Sequence, residues 1–303
     1  MKHRHPTNWR GYVFVAPATI YLAVFALVPM LLAAWMSLHR WHLLKDDHPF
    51  VGVANYLTLA RDPFFRNTIG NTLLYAACAV PLGVLTSLAV ALLVARQLRG
   101  VGLFRTLFYI PAVSSQVALS MVWIWILLPG EQGLINFCLD RLNAWLGTGI
   151  PTDTNFLGRP GWAMAALVAM SLWVGLGPRM VIFLAGLHAI PEPLYEAAAL
   201  DGCNARQRFW YITLPQLAPT TLFVVVTTTI AAFQLFTPVY MMTKGGPRRT
   251  TDVVLYHIFN EAWQKFEVGM ASAQSYVLFA IILLAAAFQF WIMRRGLREE
   301  AIQ

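Results

Sequence analysis

The sequence predicts an all-α integral membrane protein with six transmembrane helices. Of its 303 residues, 58% are hydrophobic and only 12% are charged, whereas an ordinary soluble domain carries about 25% charged residues. Six apolar runs each reach the roughly 20 residues that a membrane-crossing helix needs. Strands of a membrane barrel would be alternating segments of about ten residues. Composition and run length together therefore favour a helical bundle in a bilayer.

The predicted spans follow one another along the whole chain. They cover residues 12–38, 71–95, 104–128, 162–187, 217–243 and 269–293. The first run follows basic residues, as a signal peptide does, but it is far longer than the roughly 7–15 residues of a signal core, and we interpret it as a retained span. The loops are too short for a separate domain, so we expect one transmembrane domain over residues 1–303.

Prolines within these runs predict kinked helices around a pathway. Five of them are Pro17, Pro29, Pro81, Pro111 and Pro238. Membrane helices tolerate proline, because neighbouring groups satisfy the backbone carbonyls that it leaves free.

The distribution of basic residues predicts which side of the membrane each loop occupies. Lys and Arg are divided almost evenly, but the short 96–105 link carries three Arg and each terminal segment carries three basic residues. Because Lys and Arg favour the cytoplasmic side, both termini and the loop at 190–216 are predicted to be cytoplasmic. In a soluble protein, the net charge of +8 would suggest nucleic acid as a partner. Beside apolar runs it indicates contact with membrane lipid, and no nucleic acid is expected.

The sequence lacks the usual signatures of enzymes and of nucleotide-binding subunits. A P-loop needs Lys directly after Gly, and none of the four Lys follows a Gly. The seven His show no HExxH spacing, no GxSxG occurs, and the three Cys form no CxxC. We therefore expect no catalytic residue, metal site or cofactor in this chain, which disfavours a membrane enzyme. An ion-coupled carrier usually holds Asp, Glu or His within its spans, and all six spans lack them.

One charged residue, Arg179, lies deep within a predicted span. An Arg at the centre of a bilayer costs at least about 2.5–3.5 kcal/mol unless water or a partner stabilises it. Arg179 either faces an aqueous pathway, where it contacts substrate or gates the path, or it reaches the membrane surface or a neighbouring subunit. Composition and spacing leave both interpretations open.

The loop at 190–216 is longer and more polar than a connection between two spans requires. Pro191 and Pro193 precede an Ala-rich stretch at 194–200, which predicts a helix, and the Asp201-Gly202 turn signal ends it. A second helical piece is expected at about 205–211. A rigid helix pair with a small-residue face is typical of a docking element, although a plain returning loop satisfies the same reasoning.

This loop resembles the EAA signature of ABC importer permeases, the membrane subunits of binding-protein-dependent transporters. Glu196, Ala197, Ala198 and Gly202, followed by Ile212-x-Leu214-Pro215, carry the match, with Cys203 where the family usually has Ala. Further motifs resemble the sugar-permease group, in its maltose-type and glycerol-3-phosphate-type first permease subunits, over about residues 10–295. They are FVGVANY (50–56), DPFFRNTIGNTL (62–73), RTLFYIPAVSSQVALSMVWIWI (105–126), GLIN (133–136), FLAGLHAIPEPLYEAAALDG (183–202) and MTKGGP (242–247).

The resemblance implies a permease of an ATP-driven importer in a bacterial-type inner membrane. It would pair with a second, similar permease, with two cytoplasmic ATPases that bind ATP and Mg²⁺, and with an extracytoplasmic substrate-binding protein. Its coupling helix would sit in a cleft of an ATPase, whose closure rocks the bundle between inward-facing and outward-facing states. The implied coupling residues are Glu196, Ala197, Ala198, Asp201 and Gly202. The implied substrate is a sugar, oligosaccharide or related polyol, or alternatively a glycerol-phosphate ester, which Arg179 would suit.

Maltose-type relatives bind sugar between the core helices, about halfway across the membrane. Aligning their helices through Trp173 and through the GGP turn points here to Ser171, Gly175, Pro178, Thr228, Ala232 and Leu235. Most of these side chains lack the polar groups that hold sugar in the maltose-type protein. The residues expected along the path are Ser171, Trp173, Gly175, Arg179, Thr228, Gln234 and Tyr240. Aromatic faces suit sugar rings, although packing at the membrane interface equally explains Tyr240.

Overall fold

A computed structural model describes residues 9–95, 100–147, 151 and 153–300. Within these residues the regular structure is helical, apart from one isolated antiparallel bridge between His39 and Phe50. The prediction of an all-α fold is confirmed.

Fourteen α-helices follow one another in the described residues. They are α1 (Trp9–Leu22), α2 (Val28–Ser37), α3 (Ala54–Arg61), α4 (Pro63–Val94), α5 (Val101–Val113), α6 (Gln116–Ile126), α7 (Leu134–Leu146), α8 (Trp162–His188), α9 (Glu192–Leu200), α10 (Ala205–Arg208), α11 (Leu214–Gln216), α12 (Ala218–Phe233), α13 (Val254–Trp263) and α14 (Val268–Glu300). A wider π-helical turn at Ala23–Leu27 joins α1 to α2, and another at Phe209–Thr213 joins α10 to α11.

Four stretches of the described chain are long and apolar enough to cross a membrane: Tyr12–Ser37, Pro63–Val94, Trp162–His188 and Val268–Ile292. Two bent pairs bring the number to six if each forms one span. The pairs are α5 with α6, bent by 101°, and Ala205–Gln216 with α12, bent by 63°.

The third and fifth predicted spans are therefore not the continuous helices that their apolar runs suggest. Ser114 adopts an extended backbone (φ −81°, ψ 152°) between α5 and α6, which ends the helical hydrogen bonding. Helix α12 stops at Phe233, well before residue 243. The helix ends there because Gln234 leaves the helical conformation (φ −97°, ψ 20°).

The contacts divide the chain into two units, Met1–Asp62 with Ile258–Val277, and Pro63–His257 with Leu278–Gln303. In the first unit, side chains hold the segment after α2. Asn55 Nδ2 donates to the carbonyls of Ser37 (2.7 Å) and His39 (3.0 Å), and the hydroxyls of Ser37 and Tyr56 lie 2.8 Å apart. Tyr276 donates to the Met30 carbonyl at 2.5 Å, so the start of α14 packs along α2.

The second unit is built around α4, α8 and α12. Met180, Phe183, Leu217 and Val224 are completely buried in its apolar cluster. Lipid is as apolar as these side chains, so close packing holds membrane helices together. Gly177 allows α8 to approach α5, because a Cβ there would collide with the Phe108 carbonyl.

Helix α4 begins eight residues before its predicted apolar run. Its first turns are polar, yet their groups are satisfied. The Thr68 and Thr72 hydroxyls donate to carbonyls of the same helix, and Asn71 Nδ2 donates to the Arg249 carbonyl at 2.8 Å. Apolar patterning identifies the membrane part of a helix and misses a polar extension of this kind.

Candidate functional site

A cavity of about 220 Å³ lies among α4, α6, α8, α12 and the segment that follows α12. Its apolar wall includes Met170, Val174, Leu235 and Phe236. Its polar wall consists of Tyr75, Gln116, Ser171, Arg179, Thr228, Gln234 and Thr237. None of the lining residues is acidic. Elsewhere in the described chain, no group of three or more His, Cys, Asp or Glu is placed to hold a metal ion.

Two glycines make a slot for the Arg179 guanidinium at the cavity wall. A Cβ at Gly83 of α4 would lie 3.2 Å from the guanidinium carbon, and a Cβ at Gly175 of α8 would collide with the guanidinium. Arg179 Nη2 donates to the Leu172 carbonyl at 3.2 Å, while Nε has no hydrogen-bond partner in the described residues. Because a buried donor without a partner costs about 1–3 kcal/mol, this group favours an acceptor from water or from a ligand.

A hydroxyl chain ties α4 to α8 beside this slot. The buried Tyr75 donates its hydroxyl proton to Ser171 Oγ, and Ser171 donates to the Leu167 carbonyl at 2.8 Å. Ser171 is therefore both a lining residue and a bridge between two spans.

The break after α12 forms one edge of the cavity. Residues 234–236 are not helical, the helix resumes at Thr237, and a π-helical turn follows at Val239–Thr243. Irregular backbone at membrane depth is tolerated where it lines a cavity, and this segment does so. Beyond it the GGP turn is braced by Thr251, whose hydroxyl donates to the Gly246 carbonyl at 2.5 Å.

The loop between α8 and α12 is a rigid helix pair. Helix α9 ends in a Schellman arrangement: Cys203 N–H donates to the Ala198 carbonyl (2.8 Å), and Gly202 N–H donates to the Ala199 carbonyl (3.1 Å). Gly202 takes the left-handed conformation, with φ at 77°, which a residue without Cβ adopts at no steric cost.

The second helix of the pair starts with a reciprocal cap. Asn204 and Gln207 exchange side-chain and backbone hydrogen bonds of 2.8 and 2.9 Å. The pair is fastened to the bundle through Tyr195, whose hydroxyl lies 2.9 Å from Thr213 Oγ1 and whose ring packs against the apolar cluster. Leu200, by contrast, is 90% exposed at the tip.

The structure brings five of the seven expected path residues to one cavity: Ser171, Gly175, Arg179, Thr228 and Gln234. Trp173 and Tyr240 lie outside its wall. The Trp173 ring is 6.2 Å from that of Trp123, and Tyr240 stacks on Phe236 at 5.5 Å.

The expected coupling residues lie together on α9 and its terminal turn. Glu196, Ala197, Asp201 and Gly202 are exposed, while Ala198 is buried beneath them. The helix expected at 194–200 begins two residues earlier, at Glu192, and the helix expected at 205–211 stops at Arg208 before the π-helical turn.

Sequence reasoning missed Tyr75, Gln116 and Thr237. Two of them come from helices that are distant in sequence from α8 and α12, so no spacing rule connects them. The one signal in the sequence that could have identified a lining residue was a polar side chain within an apolar run, as at Gln116.

A bundle of broken spans around a polar cavity, with a rigid helix pair protruding at one end, defines the membrane subunit of a transporter. The chain belongs to the family described as binding-protein-dependent transport system inner membrane component, which matches residues 79–297. It is the permease subunit of an ABC importer rather than an enzyme, and it acts with a substrate-binding protein and an ATPase.

Similar proteins cover nearly the whole chain. It is 33% identical over 290 residues to the sn-glycerol-3-phosphate transport system permease protein UgpA of Agrobacterium fabrum, which covers 94% of each chain. It is 31% identical to the probable ABC transporter permease protein YurN of Bacillus subtilis, over 95% of this chain and 97% of YurN. Its fold is similar to a subunit of a bacterial ABC transporter involved in import of the acidic polysaccharide alginate, with a TM-score of 0.80, 23% identity and coverage of 95% and 96%.

Proposed function

We propose that this permease carries a polyhydroxylated substrate, a sugar, oligosaccharide or related polyol, across the bacterial inner membrane by alternating access. The observation that carries the proposal is the cavity wall of hydroxyl and amide groups at the middle of the bundle. Ser171, Thr228, Gln116 and Gln234 offer donors and acceptors that match sugar hydroxyls. Met170, Val174 and Phe236 supply the apolar surface on which a sugar ring rests.

The proposal includes the partners and the orientation. A second, similar permease completes the pathway as a heterodimer, and two ATPases bind ATP and Mg²⁺ on the cytoplasmic side, where both termini also lie. Glu196, Ala197, Ala198, Asp201 and Gly202 dock in an ATPase cleft. The Schellman end of α9 and the Tyr195 anchor support this role, because a rigid element transmits ATPase closure to the bundle instead of absorbing it.

Co-purification tests the assembly. Tagged permease is extracted gently, and its partners are identified by mass spectrometry. We expect an ATPase and a second permease. Recovery of a stable homodimer of this chain without ATPase would contradict the proposal.

A second substrate candidate is a glycerol-phosphate ester. It is favoured by Arg179, whose guanidinium reaches a cavity without acidic lining residues and keeps Nε unpaired. The relatives named for sn-glycerol-3-phosphate transport support the same candidate. Arg pairs with phosphate through strong, geometrically defined hydrogen bonds.

Two changes at Arg179 separate the candidates. A hydrogen bond to a charged group contributes about 1.5–3 kcal/mol, so Arg179→Met should lower uptake of a glycerol-phosphate ester about 10- to 150-fold, and Arg179→Lys should lower it less. Uptake is measured in proteoliposomes with the complete complex, with neutral sugars and polyols as the matched comparison. Equal uptake by all three proteins for every substrate would exclude a substrate role for Arg179.

A further inference from the structure

Helix α7 turns its apolar side outward. Its exposed large apolar residues fall at helical spacing on one face, and Trp145 is 82% exposed. They are Leu134, Phe137, Leu142, Trp145 and Leu146. The opposite face carries the completely buried Asn136 and the half-buried Asp140 and Asn143. This is the reverse of a helix that packs its apolar stripe on a protein core.

Asn136 clamps α7 to the ends of two membrane spans. Its Nδ2 donates to the Leu128 carbonyl at 2.7 Å and to the Thr154 carbonyl at 3.1 Å, and Thr154 N–H donates back to its Oδ1 at 3.3 Å. Leu128 follows the last residue of α6 by two positions, and Thr154 lies in the segment that leads into α8. Helix α7 is thereby fixed beside the end of α6 and the start of α8.

The length and composition of α7 suit a position at the membrane surface. Its 13 residues extend about 20 Å, too short to cross a hydrocarbon core of about 30 Å. Trp is enriched where membrane meets water. Arg141, on the outward face, places its guanidinium over the Phe137 ring at 5.2 Å. In this arrangement the aliphatic part of the Arg141 side chain stays in apolar surroundings while its charge reaches the lipid headgroups.

We propose that α7 is an interfacial anchor, lying flat in the lipid–water boundary with its outward face inserted among the acyl chains of one leaflet. Only α8 separates α7 from the loop at 190–216, which we call the coupling loop after its proposed role. The leaflet that holds α7 is therefore on the opposite side of the membrane from the coupling loop. The anchor holds the linked ends of α6 and α8 at a fixed depth, while the spans around the cavity rearrange. A helix of this kind inserts its apolar face about 5–10 Å into the boundary.

Cys138 lies on the outward face and is exposed, which makes it a native site for a probe. Within the full transport complex, Cys78 and Cys203 are changed to serine, and Cys138 is labelled with an environment-sensitive fluorophore. A parallel complex with Cys138→Ser corrects for thiols of partner subunits. The complex is reconstituted in phosphatidylcholine vesicles with bromine on the acyl carbons near the headgroup. The matched control moves the thiol to the exposed turn before α7, with Glu131→Cys and Cys138→Ser.

We expect brominated lipid to remove most of the Cys138 fluorescence and aqueous iodide to remove little, with the reverse pattern at Glu131→Cys. Adding Trp145→Asp should weaken the bromine quenching by lifting the helix. Quenching of the Cys138 fluorophore by iodide alone would show that the outward face of α7 lies in water. Protection from both quenchers, or failure of the label to reach Cys138 in the complex, would show a face covered by a protein subunit. Any of these three results, quenching by iodide alone, protection from both quenchers or failure of labelling, would overturn the proposal.

Discussion

At the scale of single residues, the position of Arg179 at the cavity wall depends on two glycines that have no side chain. Arg179 stays inside the bundle because Gly83 and Gly175 leave space for the guanidinium between α4 and α8. The Leu172 carbonyl satisfies one donor group, Nε is buried without a hydrogen-bond partner in the described residues, and Arg179 lines the cavity. The cost of an Arg in a membrane span is thereby reduced by local geometry, without a carboxylate partner among the described residues.

Gly175→Ala should displace the guanidinium and impair transport. Overpacking of this kind costs about 1–3 kcal/mol, which corresponds to a roughly 5- to 150-fold loss if it falls on the transport step. Gly83→Ala should have the smaller effect, because its Cβ would still lie 3.2 Å from the guanidinium carbon. Uptake into proteoliposomes is measured at equal amounts of assembled complex.

Gly70→Ala provides the control, since Gly70 belongs to the same helix as Gly83 and a Cβ there meets nothing within 4 Å. It should transport normally. Unchanged uptake by Gly175→Ala would mean that the slot does not position Arg179 for transport.

At the scale of helices, apolar run length identified the spans but not their breaks. Among the five prolines, Pro81 sits inside the unbroken helix α4, whereas Pro111 and Pro238 lie within a few residues of the two breaks. A proline removes one backbone donor wherever it occurs. Whether the helix then breaks depends on the groups around the proline that can satisfy the freed carbonyl, and apolar run length does not report on these groups. The loop at 190–216 was easier to predict, because its helix and its left-handed glycine are local signals.

Replacing Gly202, which follows α9, is expected to uncouple ATP hydrolysis from transport. A side chain in the left-handed conformation of Gly202 costs about 1–2 kcal/mol, and Gly202→Asp adds a charge beside Asp201. Because a Cβ there meets nothing within 4 Å, the permease should still insert and assemble. We expect ATP hydrolysis to continue without transport in reconstituted vesicles.

Gly147→Asp is the matched control, since Gly147 ends α7 in the same left-handed conformation, with φ at 64° and nothing within 4 Å of its Cβ. It bears the same strain away from the coupling loop and should leave ATP hydrolysis coupled to uptake. Normal uptake by Gly202→Asp would refute the coupling assignment.

At the scale of the whole molecule, counting each bent pair as one span gives six crossings. We propose from this count that the loop at 190–216 and both termini lie on one side of the membrane and α7 on the other. The three Arg of the 96–105 link and the basic terminal segments predict that the first side is cytoplasmic. A fluorescent protein that folds only in the cytoplasm should therefore be bright when fused to the C-terminus and dark when fused after Gly147. Alkaline phosphatase, active only outside the cytoplasm, should give the opposite pattern.

These fusions also test the mechanism, because an ATPase reaches α9 only from the cytoplasm. The reversed pattern would put Glu196 and Gly202 outside, where no ATP-driven subunit could move them, and the proposed coupling would fail whatever the substrate. A mixed pattern, with both fusions on one side, would mean that one of the bent pairs re-enters instead of crossing. The 101° bend between α5 and α6 makes that pair the first to examine, by moving the fusion to the 96–105 link.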